Sequence, residues 1–416
     1  MPMSPRQRVL IIAAFVLVVA LIAFALYSFF FKPFGAIVPT VPPTTEPQPT
    51  GGLPIAPEAP LPELQPTQPG VLRPTPPPSG ISAVAEGGLT ATNPMLPTGA
   101  REVKLRADGR GVNYYNALDG KFYRVTTDGT LNQLSSNTFA QVENATWSPQ
   151  GNKAVLEFPD GSNIFFDFDS QQQATLPAHW KDFDFDPSGD KIVSKSIGTD
   201  EQDRYLIVSD TNGSGARVIT ALGNQEQFVT PTWSPSGQVV ALAETGFPTH
   251  GSAGDRQNIY LVPNRQTTDF PQITIEGYGL RSQWSPDGNQ MLYSAYNATN
   301  EYKPHLWVVT TQPGNEGASK VDLGLNTWAD KCAFADTTTL YCAVPVYLEE
   351  GFGMVPGLAD AIPDEIYKID LNDGTKTLIA SPVESPTIET LMVSEDGDSL
   401  FFVDKQDQGL FEMRLR

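Results

Sequence analysis

Few residues in this chain have types and spacing that could do chemistry. Its two cysteines, Cys332 and Cys342, stand on either side of Thr337. In an antiparallel hairpin centred on that threonine they would face each other, at a Cα separation of about 4.5–5.5 Å that a disulfide can bridge. We therefore expect a disulfide, which is typical of proteins outside the reducing cytosol. Two cysteines without a nearby histidine would leave a zinc site half empty, so no metal site is expected there.

A run of alternating aspartates is the second candidate. Asp182, Asp184 and Asp186 alternate with Phe183 and Phe185, so a regular strand would place three carboxylates on one face and two rings on the other. A calcium site would need six to eight oxygen ligands from converging loops. The pattern more simply predicts that the rings pack between sheets, while the aspartates face solvent or cap turns.

The remaining signals argue against catalysis and against nucleic-acid binding. No G-x-S-x-G nucleophile motif is present. The net charge of −20 argues against a nucleic-acid surface, which needs a basic stripe. We expect no enzyme activity, no cofactor and no nucleic-acid partner. The three histidines, His179, His250 and His305, are far apart in the sequence.

A five-residue phrase that repeats along the chain predicts the elements that hold these residues. In its best copies an aromatic residue precedes Ser-Pro-x-Gly, a turn in which proline fixes φ and glycine accepts positive φ. A β-branched and aromatic run then predicts a strand, and two more strands usually follow. Four strands that recur every 40–50 residues or so form the unit of a β-propeller. The copies are residues 147–151 (WSPQG), 185–189 (FDPSG), 233–237 (WSPSG), 284–288 (WSPDG) and 393–397 (VSEDG).

These phrases resemble the blade repeats of TolB-type propellers, which are relatives of WD-repeat blades, over residues 101–416. The resemblance implies an all-β fold of four-stranded antiparallel blades, although the family is diverse in function. Weak copies at 103–109 and 334–338 bring the count to a seven-bladed β-propeller, with six or eight blades as alternatives. The last unit has room for only three strands. We expect residues 81–91 to supply its fourth, which makes the propeller domain 81–416.

The N-terminal part predicts a membrane anchor. Residues 9–31 form an uninterrupted apolar run, and a helix of that length can cross a hydrocarbon core of about 30 Å. Arg6 and Arg8 favour a cytoplasmic tail, residues 1–8. A cleaved signal peptide is the alternative, and it would have a shorter apolar region with a small-x-small cleavage site. We expect a single-pass membrane protein with an extracytoplasmic propeller.

A proline-rich linker, residues 32–80, joins the predicted anchor to the propeller. A segment of this composition cannot bury a core, so we expect it to be disordered and extended, partly as polyproline II. Its expected role is that of a spacer. The alternative is a proline-rich ligand for an aromatic groove on a partner.

Loop length predicts the binding site. The connections between the second and third strands of units three to six are longer than usual hairpin loops, and in a propeller they emerge on one face. They carry aromatic, methionine and arginine side chains, which interface cores favour. The alternative is that these loops fold back and cap the channel. The expected site residues are Phe247, His250, Arg256, Tyr296, Tyr302, Tyr347, Phe352, Met354 and Leu358.

Together these features predict a non-catalytic binding or scaffold module of the cell envelope. Its expected partner is an envelope protein or a cell-wall component. TolB itself is soluble and periplasmic, with an extra domain and a lipoprotein partner. That partner is not carried over, because this chain has a predicted anchor and spacer instead. The alternative function is a small-ligand receptor for a sugar or peptide, or a hydrolase, that uses the channel mouth.

Overall fold

The computed structural model describes residues 80–109, 111–244, 249–251 and 254–416. The predicted tail and transmembrane helix lie outside the described residues, as does all of the linker except residue 80. In the described part of the chain, no helix is long and apolar enough to cross a membrane. The helices there are five short 3₁₀ helices, Glu201–Asp203, Gly223–Phe228, Ala298–Asn300, Ala329–Lys331 and Pro356–Ala359.

Seven sheets built from the described residues confirm the prediction of an all-β, seven-bladed β-propeller with four-stranded antiparallel blades. Strands β1 (Leu89–Thr90) and β2 (Asn93–Leu96) precede the first blade. Blade 1 contains β3 (Arg101–Leu105), β4 (Gly111–Asn116), β5 (Lys121–Thr126) and β6 (Leu131–Gln133). Blade 2 contains β7 (Asn144–Trp147), β8 (Lys153–Glu157), β9 (Asn163–Asp167) and β10 (Gln172–Leu176). Blade 3 contains β11 (Trp180–Phe185), β12 (Lys191–Ile197), β13 (Arg204–Asp210) and β14 (Arg217–Ala221).

The remaining blades follow the same plan, and one short additional strand appears in blade 4. Blade 4 contains β15 (Val229–Pro231), β16 (Val239–Glu244), the additional β17 (Thr249–Gly251), β18 (Gly254–Pro263) and β19 (Gln272–Glu276). Blade 5 contains β20 (Tyr278–Trp284), β21 (Gln290–Tyr296), β22 (His305–Thr310) and β23 (Lys320–Asp322). Blade 6 contains β24 (Cys332–Phe334), β25 (Thr339–Pro345), β26 (Asp364–Asp370) and β27 (Lys376–Pro382). Blade 7 contains β28 (Ile388–Val393), β29 (Ser399–Asp404) and β30 (Leu410–Arg414).

The repeated phrase forms the turn between the first and second strands of a blade. In blade 5, Ser285 Oγ accepts a hydrogen bond from the Gln290 backbone N–H at 3.0 Å and donates one to Asp287 Oδ1 at 2.7 Å. Gly288 has a φ of 70°, and a Cβ there would lie 2.7 Å from the backbone nitrogen of Ser236 in the next turn. Glycine is required both by the left-handed backbone and by the close approach of blades 4 and 5.

The aromatic residue of the phrase joins neighbouring blades. Trp147 Nε1 donates to the carbonyl oxygen of Glu102 at 2.7 Å, which links blade 2 to blade 1. Trp284 Nε1 donates to Thr232 Oγ1 at 3.0 Å, which links blade 5 to blade 4. Among the described residues, seven clusters of buried hydrophobic side chains lie between blades, one at each joint. In the described fold, the core therefore lies between blades, as the aromatic repeat predicts.

The ring is closed by the N-terminal segment, but the predicted residues were wrong. Strand β2 pairs antiparallel with β30 and becomes the outer strand of blade 7. The predicted closing segment, 81–91, instead contributes β1, which pairs in parallel with β27 at the outer edge of blade 6. A connection between blades runs from the outer strand of one blade to the inner strand of the next. Residues 97–100 form this connection, so the strand that directly precedes it, β2, must be the outer strand of blade 7. Strand β1 covers a sheet edge that would otherwise be open.

The predicted disulfide is confirmed in blade 6. Cys332 and Cys342 face each other on β24 and β25 with a Cα separation of 4.0 Å, and both are fully buried. The turn that joins these strands has lost the Ser-Pro-x-Gly phrase. In its place Asp336 Oδ1 accepts hydrogen bonds from the backbone N–H groups of Thr338 at 2.7 Å and Thr339 at 2.8 Å. A carboxylate therefore closes the turn that a serine hydroxyl closes in blade 5.

The aspartate run does not keep its alternation, because a β-bulge interrupts β11. Asp182 is exposed, has a φ of 53° and pairs with a lysine of β12. Asp184 Oδ2 accepts a hydrogen bond from the Trp233 backbone N–H in blade 4 at 2.6 Å, and Asp186 caps the following turn. The expectation of three carboxylates on one face is therefore wrong. The two phenylalanines between them are buried, as predicted.

Candidate binding face

One side of the disc carries the connections between second and third strands and those between blades, and we name it the loop face. The repeated turns lie on the other side, the turn face. The longest connection in the described chain joins β25 to β26 and comprises residues 346–363. We name it the blade-6 loop.

The blade-6 loop has a buried underside. Phe352 is only 9% exposed and packs with Trp328, Ala359 and Ile362 in a small cluster separate from the seven joints. Burial of an aromatic ring of this size contributes several kcal/mol. The loop is therefore held against the propeller by its own hydrophobic anchor.

Backbone hydrogen bonds tie this loop to its neighbour in blade 5. The N–H groups of Gly351 and Gly353 donate to the carbonyl oxygens of Glu301 and Tyr302, at 2.9 Å and 2.8 Å. A Cβ at residue 353 would lie 2.6 Å from the Cβ of Tyr296, so a glycine is needed for the two loops to meet. The loops of blades 5 and 6 thus form one continuous surface.

A buried ion pair fixes the C-terminal end of the loop. Lys331 Nζ lies 2.8 Å and 2.7 Å from the two carboxylate oxygens of Asp364, and the two side chains are 9% and 0% exposed. Asp364 Oδ2 also accepts a hydrogen bond from the Ile388 N–H of blade 7 at 2.7 Å. Burial raises the pKa of Asp364, and Lys331 opposes that rise. Lys331 and Arg281 both lie close to the ring of Trp328, at 5.8 Å and 5.7 Å from its centroid.

The outer surface of the same loop is apolar. Twelve large hydrophobic side chains are exposed in the described chain, and five of them belong to this loop. They are Val346, Tyr347, Met354, Val355 and Leu358, each 51–59% exposed. Exposed apolar side chains that occur singly need no explanation, whereas a concentration of them marks an interaction site.

The site residues predicted in blade 4 give little support to a binding surface there. Phe247 lies outside the described residues, and His250 is in β17, opposite Asp255 of β18. Arg256 lies inside β18, where its Nε donates to Glu276 Oε2 at 2.8 Å. Arg256 therefore has an intramolecular partner.

The other predicted residues lie in and beside the blade-6 loop. Tyr347, Met354 and Leu358 are exposed on this loop, and Tyr296 and Tyr302 of blade 5 lie at its border, next to Gly353. Phe352 packs beneath the loop and does not belong to its outer surface. A choice of residues by aromatic, methionine or arginine type misses Val346 and Val355. Their position within a long loop was the available signal.

The mouth of the channel lies beside the blade-6 loop. A cavity of about 380 Å³ is lined by Arg101, Glu102, Asp330, Glu389 and Gln408, among others. A smaller cavity of about 160 Å³ shares Asp330 and Glu389 and extends to Pro356 and Ala359 of the loop. Sequence reasoning missed these residues because they come from distant segments: the starts of β3 and β28, the 3₁₀ helix before β24, the connection between β29 and β30, and the blade-6 loop. No local motif unites them.

Glu102 is the most perturbed acid of this mouth. Its backbone has a φ of 49°, a left-handed conformation that is uncommon outside glycine. Burial raises the pKa of Glu102, although its Oε2 accepts a hydrogen bond from the Ala145 N–H at 3.0 Å. Among the described residues, no group of three or more His, Cys, Asp or Glu side chains is arranged to hold a metal ion.

Comparison with known proteins identifies the fold only. No protein-family model matches the chain, and no curated protein matches it. An oligogalacturonate lyase in complex with manganese is similar in structure, with a TM-score of 0.55, 13% identity, and coverage of 76% of this chain and 90% of that chain. An oligogalacturonate lyase from Vibrio parahaemolyticus gives a TM-score of 0.53 and 12% identity, over 80% and 99% of the two chains. The β-propeller domain of Myceliophteria thermophila Cps50 (Swd1) gives 0.52 and 12%, over 78% and 100%.

Proposed function

We propose that this protein is a non-catalytic binding module of the cell envelope whose partner docks on the blade-6 loop. The observation that carries the proposal is the concentration of five exposed apolar side chains on one loop. The likeness to other propellers is consistent with a scaffold. At 12–13% identity it extends to the fold alone, so it does not indicate a particular partner.

The anchoring of the loop strengthens this proposal. Phe352, the Lys331–Asp364 pair and the hydrogen bonds to the blade-5 loop hold the backbone beneath the exposed side chains. A partner that binds a preorganised loop loses less conformational entropy than one that must order it. The apolar side chains are thus presented on a fixed frame, as an interface core requires.

The proposed location is extracytoplasmic, with residues 9–31 as a membrane anchor, residues 32–80 as a spacer and a TolB-type repeat in the propeller. The buried Cys332–Cys342 disulfide supports this location, because disulfides persist in oxidising compartments. The proposed partner is an envelope protein or a cell-wall component. The apolar character of the loop favours a protein, since polysaccharide surfaces are polar.

The test is crosslinking in intact cells, together with cosedimentation of the full chain with purified cell-wall material. The variants are Met354→Asp and Leu358→Asp, and the matched control is Leu118→Asp, which alters a side chain 88% exposed in blade 1. We expect the two loop variants to lose association about tenfold or more, because a charge placed in an apolar interface is costly. The control should associate like wild type. Equal association of all three variants would overturn the proposal.

The second candidate function is a small-ligand receptor or a hydrolase at the channel mouth. The observation in its favour is the 380 Å³ cavity with its perturbed Glu102. An enzyme name among the structural neighbours adds nothing specific at 13% identity. Identical crosslinking of wild type and loop variants would count against the blade-6 loop and favour a function at this cavity.

A further inference from the structure

Two β-bulges meet at the joint between blades 7 and 1. One interrupts β3 around Glu102, and the other interrupts β28 at Glu389. Bulges bend a strand and re-aim its side chains, and they are frequent next to functional sites. Both glutamates line the 380 Å³ cavity of the channel mouth. Bulges also interrupt the first strands of blades 3 and 5, so what sets this joint apart is the cavity that its two glutamates line.

The charges around this cavity are not neutralised in the same way. Arg281 pairs with Asp330, and Lys405 pairs with Asp360 at 2.7 Å. The side chains of Arg101 and Glu389, by contrast, form no hydrogen bond or close ion pair with another described residue. Both residues are exposed and line the cavity, so one guanidinium and one carboxylate can exchange water for a ligand there.

Arg101, Glu102 and Glu389 line the same cavity. The pKa of Glu102 is raised chiefly by burial; the charge of Arg101 lowers it and the charge of Glu389 raises it. Thr390 and Gln408 add neutral hydrogen-bonding groups to the lining. The cavity is of the size that small-molecule sites have, with a few polar groups that converge on it.

We propose that this cavity binds a small zwitterion of the α-amino acid class. The ligand carboxylate bonds to the guanidinium of Arg101, which suits bidentate carboxylate recognition. The ligand ammonium bonds to Glu389 and Glu102. A lone cation would leave Arg101 unpaired, and a lone anion would be repelled by the two glutamates. This site does not depend on the proposed protein-binding loop.

The test is calorimetric titration of the full chain in detergent with glycine, L-alanine and L-lysine at millimolar concentration. Methylammonium and acetate, titrated in the same way, carry the two charges separately. We expect at least one amino acid to bind, and each half-ligand to bind about tenfold more weakly or worse, since each charged hydrogen bond contributes this much or more. No binding by any of the three amino acids would overturn the proposal. So would methylammonium that binds as tightly as the amino acids.

Variants then locate the site. Arg101→Gln and Glu389→Gln should each weaken the binding about tenfold or more. The matched controls are Arg265→Gln and Glu395→Gln, which neutralise exposed charges outside the cavity. The two substitutions lie on different strands, so a folding defect in one leaves the other informative. Binding that survives both Arg101→Gln and Glu389→Gln would place the ligand elsewhere and contradict the inference.

Discussion

The two faces of the propeller are built in different ways. On the turn face one device recurs, in which a serine or aspartate side chain accepts backbone N–H groups and a glycine lets neighbouring turns approach. On the loop face each connection has its own length, and one of them carries five exposed apolar side chains. The repeated turn therefore stabilises the propeller scaffold. The connections that differ between blades provide the surfaces that can be specific for a partner.

Blade 6 contains the sharpest contrast between the two faces. Its turn has lost the Ser-Pro-x-Gly phrase and is closed by Asp336, while its loop is the longest of the described chain. The same blade carries the disulfide and the buried Lys331–Asp364 pair. We interpret these additional links as compensation, because a long loop and a degraded turn both reduce local stability.

The largest effect is expected from breaking the buried ion pair. Lys331→Met leaves Asp364 buried without its partner, and such losses cost about 3–5 kcal/mol. We expect the free energy of unfolding to fall by this amount in denaturant titrations. The change would also loosen the loop face specifically, since Asp364 begins β26 where the loop ends.

The control for this prediction is the exposed pair of the same face. Lys405 and Asp360 are 2.7 Å apart, but their side chains are 40% and 45% exposed. Lys405→Met should change stability by less than about 1 kcal/mol, because water screens such pairs. A similar loss in both variants would show that burial does not distinguish the two pairs.

The second effect separates the underside of the loop from its outer surface. Phe352→Ala removes a ring that is 9% exposed and should cost about 3 kcal/mol. Met354→Ala removes a side chain that is 52% exposed and should cost about 0.5 kcal/mol or less. Both are measured by denaturant unfolding of the purified chain. Equal costs would mean that the loop is not anchored by Phe352.

Much of the propeller fold could be predicted from the sequence because the repeated turn and its flanking strands are local features. An aromatic residue, a turn and two apolar runs suffice to predict one blade, and repetition predicts the ring. The cysteine pair was predictable for the same reason, since two strands joined by a tight turn fix which residues face each other. These inferences need only the neighbours of a residue in the chain.

The wrong predictions concern features that the local sequence pattern does not determine. The closing strand, β2, is decided by which segment directly precedes blade 1, and both 81–91 and 93–96 could pair at an edge. The bulge in β11 breaks the aspartate alternation, and nothing in the local pattern shows it. Phe352 has the residue type of a contact residue, but Trp328 from another connection buries it. The last of these misses depends on a residue from another connection, and the first two depend on strand pairing that the local pattern does not show.

The third effect concerns the disulfide that supports the degraded turn. Cys332→Ser with Cys342→Ser should reduce the free energy of unfolding by about 2–3 kcal/mol, because a short loop is no longer closed in the unfolded chain. Since both cysteines are fully buried, reductant should not act on the native protein. Thiol labelling followed by mass measurement, with and without denaturant, tests this. Rapid labelling of the native protein after mild reduction would contradict it.

The last prediction compares two carboxylates on one strand and its turn. Burial raises the pKa of Asp184 to about 6, against its hydrogen bonds from Trp233 and Phe185. Burial also works against ionisation of Asp186, but hydrogen bonds from Ser188 and from the following backbone outweigh it, and the pKa of Asp186 lies below its ordinary value. The two acids should therefore affect stability in opposite directions as the pH changes.

For Asp184 the folded state holds its proton more tightly than the unfolded state between pH 3.8 and about 6. Its contribution to stability is therefore greatest at low pH and falls as the pH rises through this window. For Asp186 the contribution is present above its unfolded pKa and is lost as the pH falls below it. Asp184→Asn should flatten the pH dependence of the unfolding midpoint within the window, whereas Asp186→Asn should lower the midpoint above the window with little change of slope inside it. An unchanged slope in Asp184→Asn would mean that water in the channel solvates this carboxylate, and that the inner strands are wetter than the joints they border.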